Sequence, residues 1–185
     1  MFQTVIHGES LVGQFCSGGV TFEVVHCPFT LWCGALGYAS NCADEPDIGA
    51  LLEKYQAACE TPKSGLAQPD WSCAISIDYW RSGVAPRGMM FAQQVLSNRQ
   101  EPVHNVYAMP ESLFIRVANT AEVARAAFGR EVCELHELFG VVKGAMDAQG
   151  YAINDNGAQE IEMYNYSAGL FYAYVPVRRR EPQGA

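Results

Sequence analysis

Polar and apolar positions alternate most cleanly along residues 159–177, QEIEMYNYSAGLFYAYVPV, and predict two short strands joined by a Ser-Ala-Gly turn. Strand side chains point to opposite faces in turn, so Glu160, Glu162, Tyr164 and Tyr166 share one face and Ile161, Met163 and Asn165 the other. The second face starts apolar and suits packing under a helix. The first carries carboxylates interleaved with phenol rings. A carboxylate among aromatic faces is what a cavity for an apolar cation needs, with ring quadrupoles and one negative charge converging. A solvated sheet face, with tyrosine present for its strand preference, fits the same residues. The alternation alone leaves both readings open.

Period two returns in residues 71–80 (WSCAISIDYW), placing Trp71, Cys73, Ile75, Ile77 and Tyr79 on one face and Ser72, Ala74, Ser76, Asp78 and Trp80 on the other. Residues 89–96 (MMFAQQVL) read as the partner strand after the turn RSGVAPRG. Strands are also predicted within 2–14, over 20–25, and within 107–119, where Pro110 belongs at a start or an edge. The Gly-punctuated run 28–40 shows no clear period, and Trp32 within it suits a core or a cleft wall. Helical spacing occurs twice. Ile48, Leu51, Leu52 and Tyr55 fall at i, i+3, i+4 and i+7 behind Asp44 or Asp47 as cap and Pro46 as an early helical residue, predicting a helix over 47–59. Val132, Leu135, Phe139, Val142 and Met146 make the stripe of a second helix over 131–149, which Gly150 ends. The Ala-rich connection NTAEVARAAFGR leans towards a helical turn.

Each helix is preceded by strand signals and followed by two strands, 71–80 and 89–96 after the first, 159–166 and 170–177 after the second. That order predicts an α+β fold: two pseudo-symmetric βαββ repeats forming an antiparallel sheet, with two helices packed on one face and a cleft between the halves. The expected extent is one domain over 1–180, with halves at about 1–100 and 105–178 and a disordered tail at 179–185.

Composition narrows the function classes. The net charge is −8, and basic residues cluster only at Arg178-Arg179-Arg180, so direct nucleic-acid binding is not expected. The seven cysteines are odd in number and lack CxxC or paired-His spacing, which predicts free thiols and no bound metal. His7, His26, His104 and His136 are dispersed and receive no role. Nothing reads as a basic-then-apolar leader or a bilayer-spanning run, so a soluble, cytoplasmic protein without membrane contact is expected. A nucleotide-binding glycine motif is also missing, and no cofactor is expected.

The stretches DIGALLEKY, YAMPESLFIRV, IEMY and YVPV, in this element order, resemble the GyrI-like small-molecule-binding family, the effector-binding domain of AraC-type and multidrug regulators with its SOUL-like βαββ duplication. Glu162 and Tyr164 match that family's apolar-Glu-x-Tyr strand, and Pro176-Val177 its Ile/Val-Pro-Val ending. The likeness covers about 105–180 and is looser before residue 45, where FCSGGV and LWCGALGYAS find no counterpart. It implies a bacterial ligand-binding protein with an aromatic cleft into which Glu162 reaches, Tyr164 beside it, to meet a hydrophobic, cationic small molecule. Trp80 is assigned to the same wall because it occupies the matching face of the matching first-half strand. Phe91 and Tyr172 are further wall candidates, with core packing as the competing role for each.

Three functions are compatible, ranked as follows. The first is a stand-alone effector- or drug-binding protein, which is not an enzyme. The second is a hydrolase of strained, cyclopropane-bearing genotoxins that uses Glu162 and Tyr164. The third is a gyrase-inhibitory protein-interaction module with an acidic surface. A protein partner and a homodimer are both compatible with the sequence, and any regulatory role is expected to work through a partner or by titrating the ligand.

Overall fold

The computed structural model describes residues 2–79 and 85–181. Along the chain run β1 (Ser10–Ser17), β2 (Val20–Cys27), β3 (Thr30–Tyr38), α1 (Ile48–Cys59), β4 (Ser72–Ile77), β5 (Gly88–Val95), β6 (Asn105–Met109) and β7 (Ser112–Ala118). Then come α2 (Ala121–Phe128), α3 (Glu137–Met146) with a 3-10 turn at Asp147–Gln149, β8 (Tyr151–Ile153), β9 (Glu160–Asn165) and β10 (Leu170–Arg179). The strands form one ten-stranded antiparallel sheet ordered β1-β2-β7-β10-β9-β4-β5-β3-β6, with β8 on β10. The central six strands of this order are symmetric about the β4–β9 pair. The trio β3-β5-β4 on one side mirrors β7-β10-β9 on the other, as the repeated strand-helix-strand-strand order predicts.

The sheet also curls. Pairs from Glu23↔Arg116 to Cys27↔Ser112 and from Thr30↔Met109 to Gly34↔Asn105 keep a single register. They are interrupted only where Pro28-Phe29 faces Pro110-Glu111. Proline donates no amide, so the ladder opens there and both long strands bend at one level. Inside the curl lie Trp32, Ile75, Met90, Phe114, Ile161 and Tyr174, together with Val5 and Ile6. On the outer face Phe22, Ile115 and Val175 pack against Leu138 and Val142 of α3. Helix α1 sits on β3 and β5 of the same face, capped by the Asp47 carboxylate, which accepts from the Ala50 amide at 3.0 Å.

Arg116 ties the N-terminal segment into the inner core. Its guanidinium donates to Glu9 at 2.6 Å, Glu23 at 2.7 Å, the Tyr174 hydroxyl at 2.9 Å and the Gln3 carbonyl at 2.8 Å. The rings of Phe2 and Tyr172 stack on it at 4.6 and 4.9 Å.

Several elements depart from the sequence pattern. The expected helix over 131–149 begins only at Glu137, because the Glu137 carboxylate folds back to accept the Glu134 amide at 2.8 Å and leaves Val132 75% exposed. The connection before it holds a full helix, α2. The run 28–40 holds β3, and the strand expected within 107–119 is divided between β6 and β7 around Pro110-Glu111. Strand β10 runs through Arg179, and the Arg180 amide bonds to the Gly150 carbonyl at 2.8 Å. Residues 182–185 of the expected tail lie outside the described residues. No described helix is long and apolar enough to cross a membrane.

Candidate functional site

A cleft of about 650 Å³ opens between α1 and α3, over the β4–β9 pair on which the two halves meet. Its floor follows from cross-strand pairing. Ala35, Phe91, Ala74, Glu162, Ala173 and Val117 stand side by side across six strands, and Met89, Ser76 and Glu160 form the row beside them. Alanine on both sides of Glu162 leaves space above the strand, and its carboxylate stands in that space. Ile48 of α1 and Phe139 of α3 supply apolar walls. Tyr164 closes one end, its ring stacked on Tyr166 at 5.6 Å and set edge-on to Phe171 at 6.2 Å.

Tyr79 completes the opposite side. Alternation along β4 directs it to the inner face, but Asp78 takes a positive φ of 58° and breaks the period. Asp is one of the few residues that tolerates this backbone state. The Asp78 amide donates to the Gln159 side chain at 3.0 Å, which holds the bend.

Three carboxylates line the cleft, and they differ in their partners. Glu45 pairs with Arg87, which also lies over the Tyr79 ring at 5.5 Å. Glu160, whose side chain is only 4% exposed, has the Lys143 ammonium at 2.5 Å. Glu162 has no cationic partner within ion-pair distance among the described residues, and it accepts a hydrogen bond from the Tyr164 hydroxyl. Burial raises the Glu162 carboxyl above its ordinary 4.5, against the opposing pull of Tyr164 and of His136. Burial and the adjacent Glu162 likewise push the Tyr164 hydroxyl well up, so it remains a neutral donor. Among the described residues no cluster of His, Cys, Asp and Glu could hold a metal ion.

Of the residues singled out from the sequence, Glu162, Tyr164 and Phe91 come together here. Tyr172 lies apart, on the inner side of the sheet, stacked on Arg116 and 6.1 Å from the Trp71 ring. Trp80 falls outside the described residues. The sequence pattern does not place Tyr79, Glu45, His136, Phe139 or Lys143 in the site, and reads Phe139 only as part of the apolar stripe of the second helix. His136, Phe139, Gly140 and Lys143 do follow i, i+3, i+4, i+7 spacing, a mixed stripe that a purely apolar template overlooks.

No family model matches the sequence, and no curated protein matches it. Similarity is found among solved structures. A bacterial transcription regulation protein from Staphylococcus aureus MU50 superposes with a TM-score of 0.57 at 12% identity, covering 86% of this chain and 99% of that one. The EcmrR C-terminal domain gives 0.54 at 12% identity, over 85% of this chain and 97% of its own. SAV2435 bound to tetraphenylphosphonium gives 0.53 at 12% identity, over 85% and 93%. At this identity the likeness is one of fold.

Proposed function

We propose that the protein binds hydrophobic organic cations in the cleft over β4 and β9, with Glu162 as the anionic group and Tyr164, Tyr79 and Phe91 as aromatic walls. The observation that carries this reading is the Glu162 carboxylate, half-buried among apolar and aromatic side chains and without an ion-pair partner among the described residues, while both neighbouring carboxylates have cationic partners. A buried charge without a partner is costly, and a ligand that supplies the missing cation recovers part of that cost. A lipophilic cation does so and also covers the apolar walls. The size supports the same reading, since about 650 Å³ suits one drug-sized molecule. So does the tetraphenylphosphonium bound by a protein of the same fold. The sequence likeness to the GyrI-like effector-binding family agrees with it.

The test is equilibrium dialysis with tetraphenylphosphonium and with triphenylphosphine oxide, a bulky neutral counterpart. Saturable binding that favours the cation by about tenfold or more is expected. Equal uptake of the two, or no saturable uptake, overturns the proposal.

The raised Glu162 carboxyl beside a neutral Tyr164 hydroxyl also suits a general base with an adjacent proton donor. A hydrolytic reading on strained, cyclopropane-bearing electrophiles rests on that pair. Turnover lost in Glu162→Gln supports it, and the absence of turnover removes it.

A further inference from the structure

Glu160 is an unusual neighbour for the proposed cation site. It is 3% exposed, and its Oε1 is buried without a hydrogen-bond donor, although it lines the same cleft as Glu162. The one cation on it is Lys143, whose Nζ lies 2.5 Å from that oxygen but outside hydrogen-bonding geometry. The lysine side chain is 38% exposed, so it reaches in from the rim at the end of a flexible stem. Glu160 and Glu162 are two residues apart on one strand face, which sets their Cβ atoms about 7 Å apart. Their partners on β4, Ser76 and Ala74, are both small, so the strand beside the two carboxylates raises no bulky side chain between them.

We infer that Lys143 is a tethered, displaceable counter-ion on a second anionic subsite, and that with Lys143 withdrawn the cleft accepts rigid aromatic dications, one charge on Glu162 and the other on Glu160. This rests on the cation-binding reading of Glu162 and adds a determinant of ligand charge. With the lysine seated, the cleft presents one free carboxylate and prefers monocations. A dication has to expel the ammonium into solvent before its second charge meets Glu160. Lys143 on α3 is 38% exposed along its side chain, so its flexible stem can carry the ammonium outward to solvent without altering the helix.

The inference is tested with two biaryls of like shape, N-methyl-4-phenylpyridinium with one charge and methyl viologen with two. Binding of both to the full chain is measured by calorimetry for the native protein, Glu162→Gln, Lys143→Gln, and Lys143→Gln combined with Glu160→Gln. Removing Lys143 should strengthen viologen binding by about tenfold or more. The monocation should gain no more than about threefold, from the loss of a nearby positive charge. Adding Glu160→Gln should return the viologen-to-monocation ratio to its native value. An unchanged ratio in Lys143→Gln, or a gain that survives Glu160→Gln, overturns the inference while leaving the Glu162 site standing. If neither compound binds, or if the monocation binds equally well to Glu162→Gln, the underlying site reading fails and the inference falls with it.

Discussion

Glu160 and Glu162 share one face of β9 and differ in what stands opposite them. Lys143 pairs with the first, and among the described residues no cation lies within ion-pair distance of the second. A carboxyl raised by burial binds its proton more tightly in the folded chain than in the unfolded one. Its contribution to stability is therefore fully present below about 4.5, falls as pH rises through the folded value, and is a constant cost above it. Glu162→Gln is expected to be about 1 kcal/mol more stable than the native chain at neutral pH, with the two converging below about pH 4.5. Calorimetric unfolding of both from about pH 4 to about pH 8 checks this. Equal melting temperatures at neutral pH would mean that the carboxylate is solvated. Cation affinity should run the other way, level at high pH and falling as Glu162 takes up its proton. The difference between the two chains isolates Glu162 from Glu45, Glu160, His136 and Lys143, which face the same space.

At the scale of elements, α3 shapes the cleft through a glycine. A Cβ added at Gly140 meets nothing within 4 Å, because the residue faces the open cleft. Gly140→Ala should stabilise the protein by about 0.5–1 kcal/mol through helix propensity and leave binding intact. Gly140→Leu should fold equally well and weaken tetraphenylphosphonium binding by at least about tenfold, since the added side chain fills the site. Gly144, one turn on and outside this cleft, is the control, and Gly144→Leu should not affect binding. Loss of binding in both variants would point to a general effect on α3.

The strands of the second half were legible because alternation is local: Glu162 and Tyr164 share a face whatever β9 pairs with. Ala74 and Ala173, which open the space around Glu162, could not be assigned as its neighbours, since cross-strand pairing between distant segments decides that. Tyr79 was read onto the wrong face because one residue, Asp78, with positive φ, breaks an otherwise regular period. Tyr172 lies on the face opposite Glu162, since Met163 rather than Glu162 is its partner on β9. The second helix was drawn too long because its apolar stripe continues into a segment where Cys133 and Leu135 are buried without helical backbone.

At the scale of the whole molecule, the two faces of the sheet divide the work. The inner face carries the apolar core, and a buried polar network there, Arg116 with Glu9 and Glu23, fastens residues 2–9 against it. Glu9 and Arg116 are almost wholly out of solvent, so Arg116→Met strands a buried carboxylate and should cost about 3–5 kcal/mol in urea unfolding. Its effect on ligand affinity in the folded protein should be small, because the network and the cleft lie on opposite faces. A cost near zero would show that Glu9 takes up a proton or reaches water. The outer face leaves a gap where the halves meet, and its floor pairs an aromatic from one half, Phe91, with a carboxylate from the other, Glu162, across Ala74.

That pairing leaves cation binding dependent on the charge of Glu162, and Glu162→Gln removes the charge while keeping the shape. Calorimetric titration of the native chain and the variant with tetraphenylphosphonium and triphenylphosphine oxide measures its share directly. The cation should lose about ten- to a hundredfold in affinity, or about 1–3 kcal/mol, and the neutral oxide should change by less than about twofold. Equal losses for both ligands, or no loss for the cation, would contradict the account.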